Sequence, residues 1–482
     1  MAYSNWTNES APSTAEVDAS LRWVTFLFTA KAAAWLVVGT LLSLLASIKL
    51  HAPAMMSSSA WLTYGRVMPA GWSALVYGFL GQAGVGVGLW LLARNCAQRV
   101  QAPILVAVGG CIWNLGVAVG VIGILAGYST GREWLEMPAG AMALLVLGAG
   151  VIGTAGWVTY ASRTESSPYP SSWFILLSLL SFVWFGTVAL MMLPGEGSRG
   201  VVQVLIQRWF ANGLLKLWLG GLGAAILLHE LPLLVNRPLA SRQLALISFW
   251  TLVFFAPWGA TSHGDPVPRW LISAGMAGKA LGTVGVLATG LNLLKTVEGA
   301  WSSVFSTLRG RLLGVAALAY VVGGILEYAT SLRAASSVVS LTWFKLGLDW
   351  LLVGGGVGLA VIALLPEVFA KTMGRKLAPG LVLAHAWLTM AGILLIALPL
   401  LLGGVAQGAA LSKVSGSFVE ALQGSMHFVR LSSLGFTVLF VGQLALLVAV
   451  LNSGRELLME FLNTVKGWSA VSGDRKGVGA RP

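Results

Sequence analysis

TYGRVMPAGWSALVYGFLGQAG, residues 63–84, opens on a turn built from Gly65, Arg66 and Pro69 and then runs on without a charge. The apolar run continues to about residue 94. A helix needs about 20 mostly apolar residues to cross a hydrocarbon core. The stretch therefore reads as the entry to a membrane-spanning helix. Its packing face carries Gly71, Gly78, Gly81 and Gly84 where bulk is usual. Gly71 and Trp72 stand just past the proline, as if a larger functional side chain had been removed.

The rest of the chain has the same character. Of 482 residues, 57% are hydrophobic and only 10% charged, and the mean hydropathy is +0.82. A water-soluble fold of this length needs far more polar surface. The 60 glycines fit helices that approach closely in lipid. Some of the 21 tryptophans (Trp61, Trp134, Trp173, Trp270) fall near predicted helix ends, as in an aromatic belt. The net charge of +13 is read as cytoplasmic loops facing anionic lipid, not as a nucleic-acid surface. Cys96 and Cys111 have no metal-like spacing and read as small hydrophobes.

Apolar segments recur at 22–49, 68–94, 103–127, 137–161, 171–193, 204–234, 239–257, 267–295, 311–332, 340–366, 378–403 and 428–453. The prediction is an all-α, polytopic membrane bundle of about twelve transmembrane helices, forming one domain over 22–455. A polar N-terminal tail (1–21) and a C-terminal tail (456–482) flank it, both read as disordered. Loops after even-numbered helices carry the larger share of Arg and Lys, which predicts that both termini are cytoplasmic. The sequon Asn5-Trp6-Thr7 then faces the wrong side for glycosylation. The acidic N-terminus lacks the basic start of a cleaved signal peptide.

Ionisable residues inside spans are expensive and mark function or buried pairing. They are Lys31, Lys216, Lys279, Glu327, Lys345 and Asp349. Lys345 and Asp349, four apart, share a helix face and can neutralise each other. Lys216 follows Asn212 at the same spacing. Two readings stand side by side: a proton or ion path, and buried ion pairs that hold helices together. The histidines His51, His229, His263, His385 and His427 are single, with no second ligand one turn away. No phosphate loop, catalytic triad or CxxCH motif is present.

Several punctuation marks together resemble subunit I of the heme-copper oxidases, specifically the cbb-type (C-family) cytochrome c oxidases. They are GYSTGREWLEMP (127–138), Asn236-Arg237-Pro238, Ser248-Phe249-Trp250, Glu327, HAWLTMAGILLIALPLLLGGVAQG (385–408) and Ser417-Phe418-Val419-Glu420. The resemblance spans nearly the whole chain and implies that family's fold. It also implies a place in the bacterial inner membrane, with the lipid bilayer and other respiratory subunits as partners.

Of the family's six histidines, the chain keeps at most one, His263. By the resemblance, the first low-spin heme ligand falls at Gly71 and the first copper ligand at Asn212. The copper pair falls at Ser262 and His263, and the paired heme ligands at Leu348 and Trp350. The family's active-site tyrosine falls near Val321, beside Tyr320. Glycine and leucine cannot ligate iron, and a single imidazole cannot hold copper at an N-donor site. The chain is thus expected to bind no cofactor or metal, to carry no catalytic residue and not to be catalytic by itself. It would act as a structural or assembly subunit beside a heme-bearing subunit I and c-type cytochromes, which would hold the heme and copper. The alternatives are a proton or ion conductor using Lys216, Lys279, Glu327, Lys345 and Asp349, and a terminal oxidase with unrecognised ligands. Trp72, Trp218, Trp343 and Trp350, with the Lys345/Asp349 pair, are expected to fill the vacated sites, because an empty void forfeits packing contacts.

Overall fold

The computed structural model describes residues 12–164, 166–194, 198–413 and 417–477; Asn5-Trp6-Thr7 lies outside them. All regular structure among the described residues is helical. A short helix α1 (Thr14–Ser20) precedes twelve spans: α2 (Arg22–His51), α3 (Tyr64–Cys96), α4 (Pro103–Ala126), α5 (Ala139–Ala161), α6 (Pro170–Met192), α7 (Val201–Leu234), α8 (Arg242–Ala260), α9 (Arg269–Val297), α10 (Leu308–Ser331), α11 (Trp343–Met373), α12 (Pro379–Leu411) and α13 (Phe418–Gly477). Every apolar run read from the sequence lies on one of these spans.

The breaks have local causes. Pro103, Pro170 and Pro379 occupy first helical positions, where the missing N–H costs nothing. Gly127 (φ +101°) and Gly374 (φ +69°) end α4 and α11 in the left-handed conformation.

The described parts of both tails, 12–21 and 456–477, depart from the expected disorder. Ser13 and Glu16 cap α1 reciprocally. Asp18 of α1 accepts from Trp90 Nε1 at 2.8 Å and Arg94 Nε at 2.9 Å on α3. A buried carboxylate with two donors fixes a segment that composition alone reads as solvated. At the other end α13 continues as helix to Gly477, across the region assigned to the tail.

Most consecutive spans pack on one another, and α13 packs on both α12 and α2. Three spans stand apart. The most apolar windows of α3, α7 and α11 are 94%, 83% and 78% buried, against 22–56% in the other nine. These are the second, sixth and tenth spans. They are apolar on all sides because other helices, not lipid, surround them.

Candidate functional site

Each inner helix widens at mid-length into π-helical pairing, at Ala74–Gly84 in α3, Gly213–Gly220 in α7 and Trp350–Gly358 in α11. Such widening is uncommon and tends to accompany functional positions. The three segments begin within three residues of Gly71, Asn212 and Leu348; Asn212 and Leu348 line one cavity, and Gly71 faces α2.

On the α2 side, Gly71 packs directly on α2. A Cβ built there would lie 2.9 Å from Ser43 Oγ and 3.1 Å from Ser43 N. Its neighbour Trp72 sits among aromatic rings. Trp72 meets Trp350 with ring centroids 4.8 Å apart and Trp134 at 5.2 Å, and Trp350 meets Phe436 at 5.0 Å. Only about 40 Å³ of space remains beside Trp72 and Trp350. The donors at these positions do not fit iron: Gly71 has no side chain, and the Trp350 ring is packed.

The other side is open. A cavity of about 260 Å³ lies among α7, α8, α9, α10 and α11, lined by Asn212, Ser262 and Leu348 and by all five members of the charged set. This corrects the expectation that side chains fill both sites. Trp218 packs elsewhere, against Tyr77, Trp113 and Phe182. Trp343 donates to Ser425 Oγ at 3.1 Å. The Asn212 amide donates to the Ala256 carbonyl, so it is engaged and turned to α8.

The charges around this cavity are mostly paired. Lys216 and Glu327 form an ion pair across α7 and α10. Lys345 Nζ lies 2.9 Å from Asp349 Oδ2 and 2.6 Å from Glu133 Oε1. Arg208 reaches Asp265 at 3.3 Å and Glu133 at 3.7 Å. Lys279 Nζ donates to Ser262 Oγ at 2.7 Å. Lys31 stands apart on α2, 3.4 Å from Cys111 Sγ.

Glu133, Arg208 and Asp265 are parts of the network that reading the spans did not single out. Glu133 belongs to the 127–138 loop, which folds over this end of the bundle and hangs on Tyr77, whose hydroxyl donates to the Trp134 carbonyl. The usable signal was the acidic pair of REWLE inside an otherwise apolar chain. Its second member, Glu136, is pushed up by burial to about 7; the Glu136 and Trp134 N–H groups pull it down, Glu133 raises it and Lys345 lowers it.

The histidines do not converge. His51 bonds Ser433 Oγ at 3.0 Å, and His385 lies 3.1 Å from the Gly442 carbonyl. His229 lies beside Ser171 and Tyr169, and His427 stacks on Phe428. His263 sits in the α8–α9 loop and does not line the cavity. No group of three or more His, Cys, Asp or Glu side chains among the described residues has metal-binding geometry.

Residues 23–439 match the family model of the cytochrome C and quinol oxidase polypeptide I. The chain belongs to that family. The cbb3-type cytochrome c oxidase subunit CcoN1 of Stutzerimonas stutzeri is 24% identical to it over 436 residues, 86% of this chain and 90% of that protein. A bacteroid cytochrome c oxidase subunit 1 homolog of Bradyrhizobium diazoefficiens is 23% identical over 431 residues, 85% of this chain and 78% of that protein. A heme-copper terminal oxidase dimer solved by cryo-EM shares the fold, with a TM-score of 0.64 at 13% identity, covering 90% of this chain and 84% of that one. The chain is thus a multi-pass membrane member of the polypeptide I family.

Proposed function

We propose that this chain is a redox-inactive homologue of oxidase subunit I, kept as a structural or assembly subunit of a respiratory membrane complex. The observation that carries the reading is the Gly71–Trp72–Trp350 contact. The backbone of α3 is pressed on α2 at Gly71, and the Trp72 and Trp350 indoles meet beside it, which supports a centre without iron ligands. Heme and copper belong, on this reading, to partner subunits such as a ligand-complete subunit I and c-type cytochromes. The test is purification from native membranes, followed by a pyridine-hemochrome assay and identification of co-purifying subunits. The expected result is a complex whose heme is assigned to other subunits and is lost when this chain is isolated. Heme stoichiometric with the isolated chain overturns the proposal.

A second reading, favoured by the charged cavity, is proton or ion conduction through the vacated centre. It requires proton flux in proteoliposomes that Asp349→Asn abolishes. Flux equal to that of empty liposomes removes this reading and leaves the first intact.

A further inference from the structure

We infer that the central cavity is a binding site for a small monovalent anion of the carboxylate class, held by Lys279. Lys279 is the eleventh residue of α9. At about 1.5 Å per residue its Cα lies roughly 15 Å along the helix, near mid-membrane. A cation at that depth needs a partner. Arg208, Lys216 and Lys345, which line the same cavity, each have a carboxylate within 4.0 Å, and Lys279 has none among the described residues. Its nearest polar contact is the Ser262 hydroxyl, which leaves two ammonium N–H groups to donate elsewhere.

The surrounding charges favour an anion. The groups acting on Lys279 are Glu327, Lys216, Asp265 and Arg208. Both carboxylates are committed, Glu327 to Lys216 and Asp265 to Arg208. Arg208 and Lys216 are thus offset by carboxylates of their own, and the charge of Lys279 is not. Glu133 is shared between Lys345 and Arg208, and its side chain is 41% exposed, so water shares its charge. Space is available as well. One turn from Lys279, a Cβ built on Gly282 would meet nothing within 4 Å, and Gly282 lines the cavity. The 260 Å³ volume admits formate or a comparably small anion and leaves room for water.

This inference rests on the reading that the cavity is not a metal centre. Its readout is anion binding, so its failure is distinguishable from a failure of the heme assay. The experiment is saturation-transfer NMR on the full-length protein in nanodiscs, with formate as the probe and formamide, of the same size but uncharged, as the control. A saturable formate signal is expected in the unmodified protein, in Lys279→Arg and in Lys31→Met. Lys279→Met should weaken binding by roughly thirtyfold or more, the affinity equivalent of removing one partner of a buried charge pair. Gly282→Leu keeps every charge and should block binding by filling the space; it also covers the case in which Lys279→Met misfolds. Displacement of formate by oleate would name a fatty-acid head group as the carboxylate. Persistence of formate would name a free anion, and either outcome supports the site. No saturable signal, or binding in Lys279→Met and Gly282→Leu equal to that of the unmodified protein, overturns it.

Discussion

Gly71 and Ser43 show how closely the α3 backbone is pressed on α2. Ser43 Oγ is buried and has no hydrogen-bond partner, and it stands 2.9 Å from where a Gly71 Cβ would be. Gly71→Ala should therefore overpack the α2–α3 contact and destabilise by roughly 1–3 kcal/mol. Ser43→Ala alone removes an orphaned hydroxyl and should be near neutral or stabilising. The double variant should recover part of the loss, because the close contact is gone. Thermal unfolding of the four proteins in nanodiscs measures this coupling. Strict additivity, or no cost for Gly71→Ala, would contradict the packing described here. The sequence showed that Gly71 cannot ligate and that a tryptophan follows it. It could not show that Trp72 meets Trp350, 278 positions later, because that contact depends on how α3 and α11 cross.

The 127–138 loop is the element that ties the bundle's open end together, through Tyr77 and Trp134 and through Glu133 and Lys345. Glu136 within it carries the pH dependence. An ordinary glutamate titrates near 4.5, and the buried one near 7. Below pH 4.5 both folded and unfolded chains hold the proton. Between 4.5 and 7 the folded chain holds a proton that the unfolded chain has released, so the group's contribution to stability falls as pH rises through that window and is gone above it. Glu136→Gln should flatten that part of the stability–pH curve and leave the variant more stable than the parent at pH 8. Melting curves at pH 5, 6, 7 and 8 decide it, and indistinguishable curves would refute the assignment. The shared face of Lys345 and Asp349 was legible from their spacing. Their loop partner Glu133 was not, since no periodicity governs where a loop folds back. The π-helical widening of α3, α7 and α11 was also invisible, because it adjusts pairing without changing composition.

Over the whole molecule, the twelve spans were legible because each is an apolar run bounded by proline, glycine or charge, and lipid imposes that grammar on any sequence. The open cavity was not. Packing arguments favour filled voids, but polar and charged walls can keep a space that water or a ligand occupies. An even number of spans places both ends of the described chain on one side of the membrane. Helix α1 fixes which loops share that side: Asp18 pairs with Arg94, and Glu16 with Arg99, just before the α3–α4 connection. Arg163, Arg237, Arg375 and Lys376 lie in the other connections of the same side. By the positive-inside rule, the Lys and Arg in these loops predict that this side is cytoplasmic. Fusions at both termini should then give fluorescent GFP and inactive alkaline phosphatase, and a phosphatase inserted in the 127–138 loop should be active. Active phosphatase at either terminus would invert the topology. It would also put the Lys345–Glu133 end of the cavity toward the cytoplasm, so the same fusions decide from which side an anion reaches Lys279.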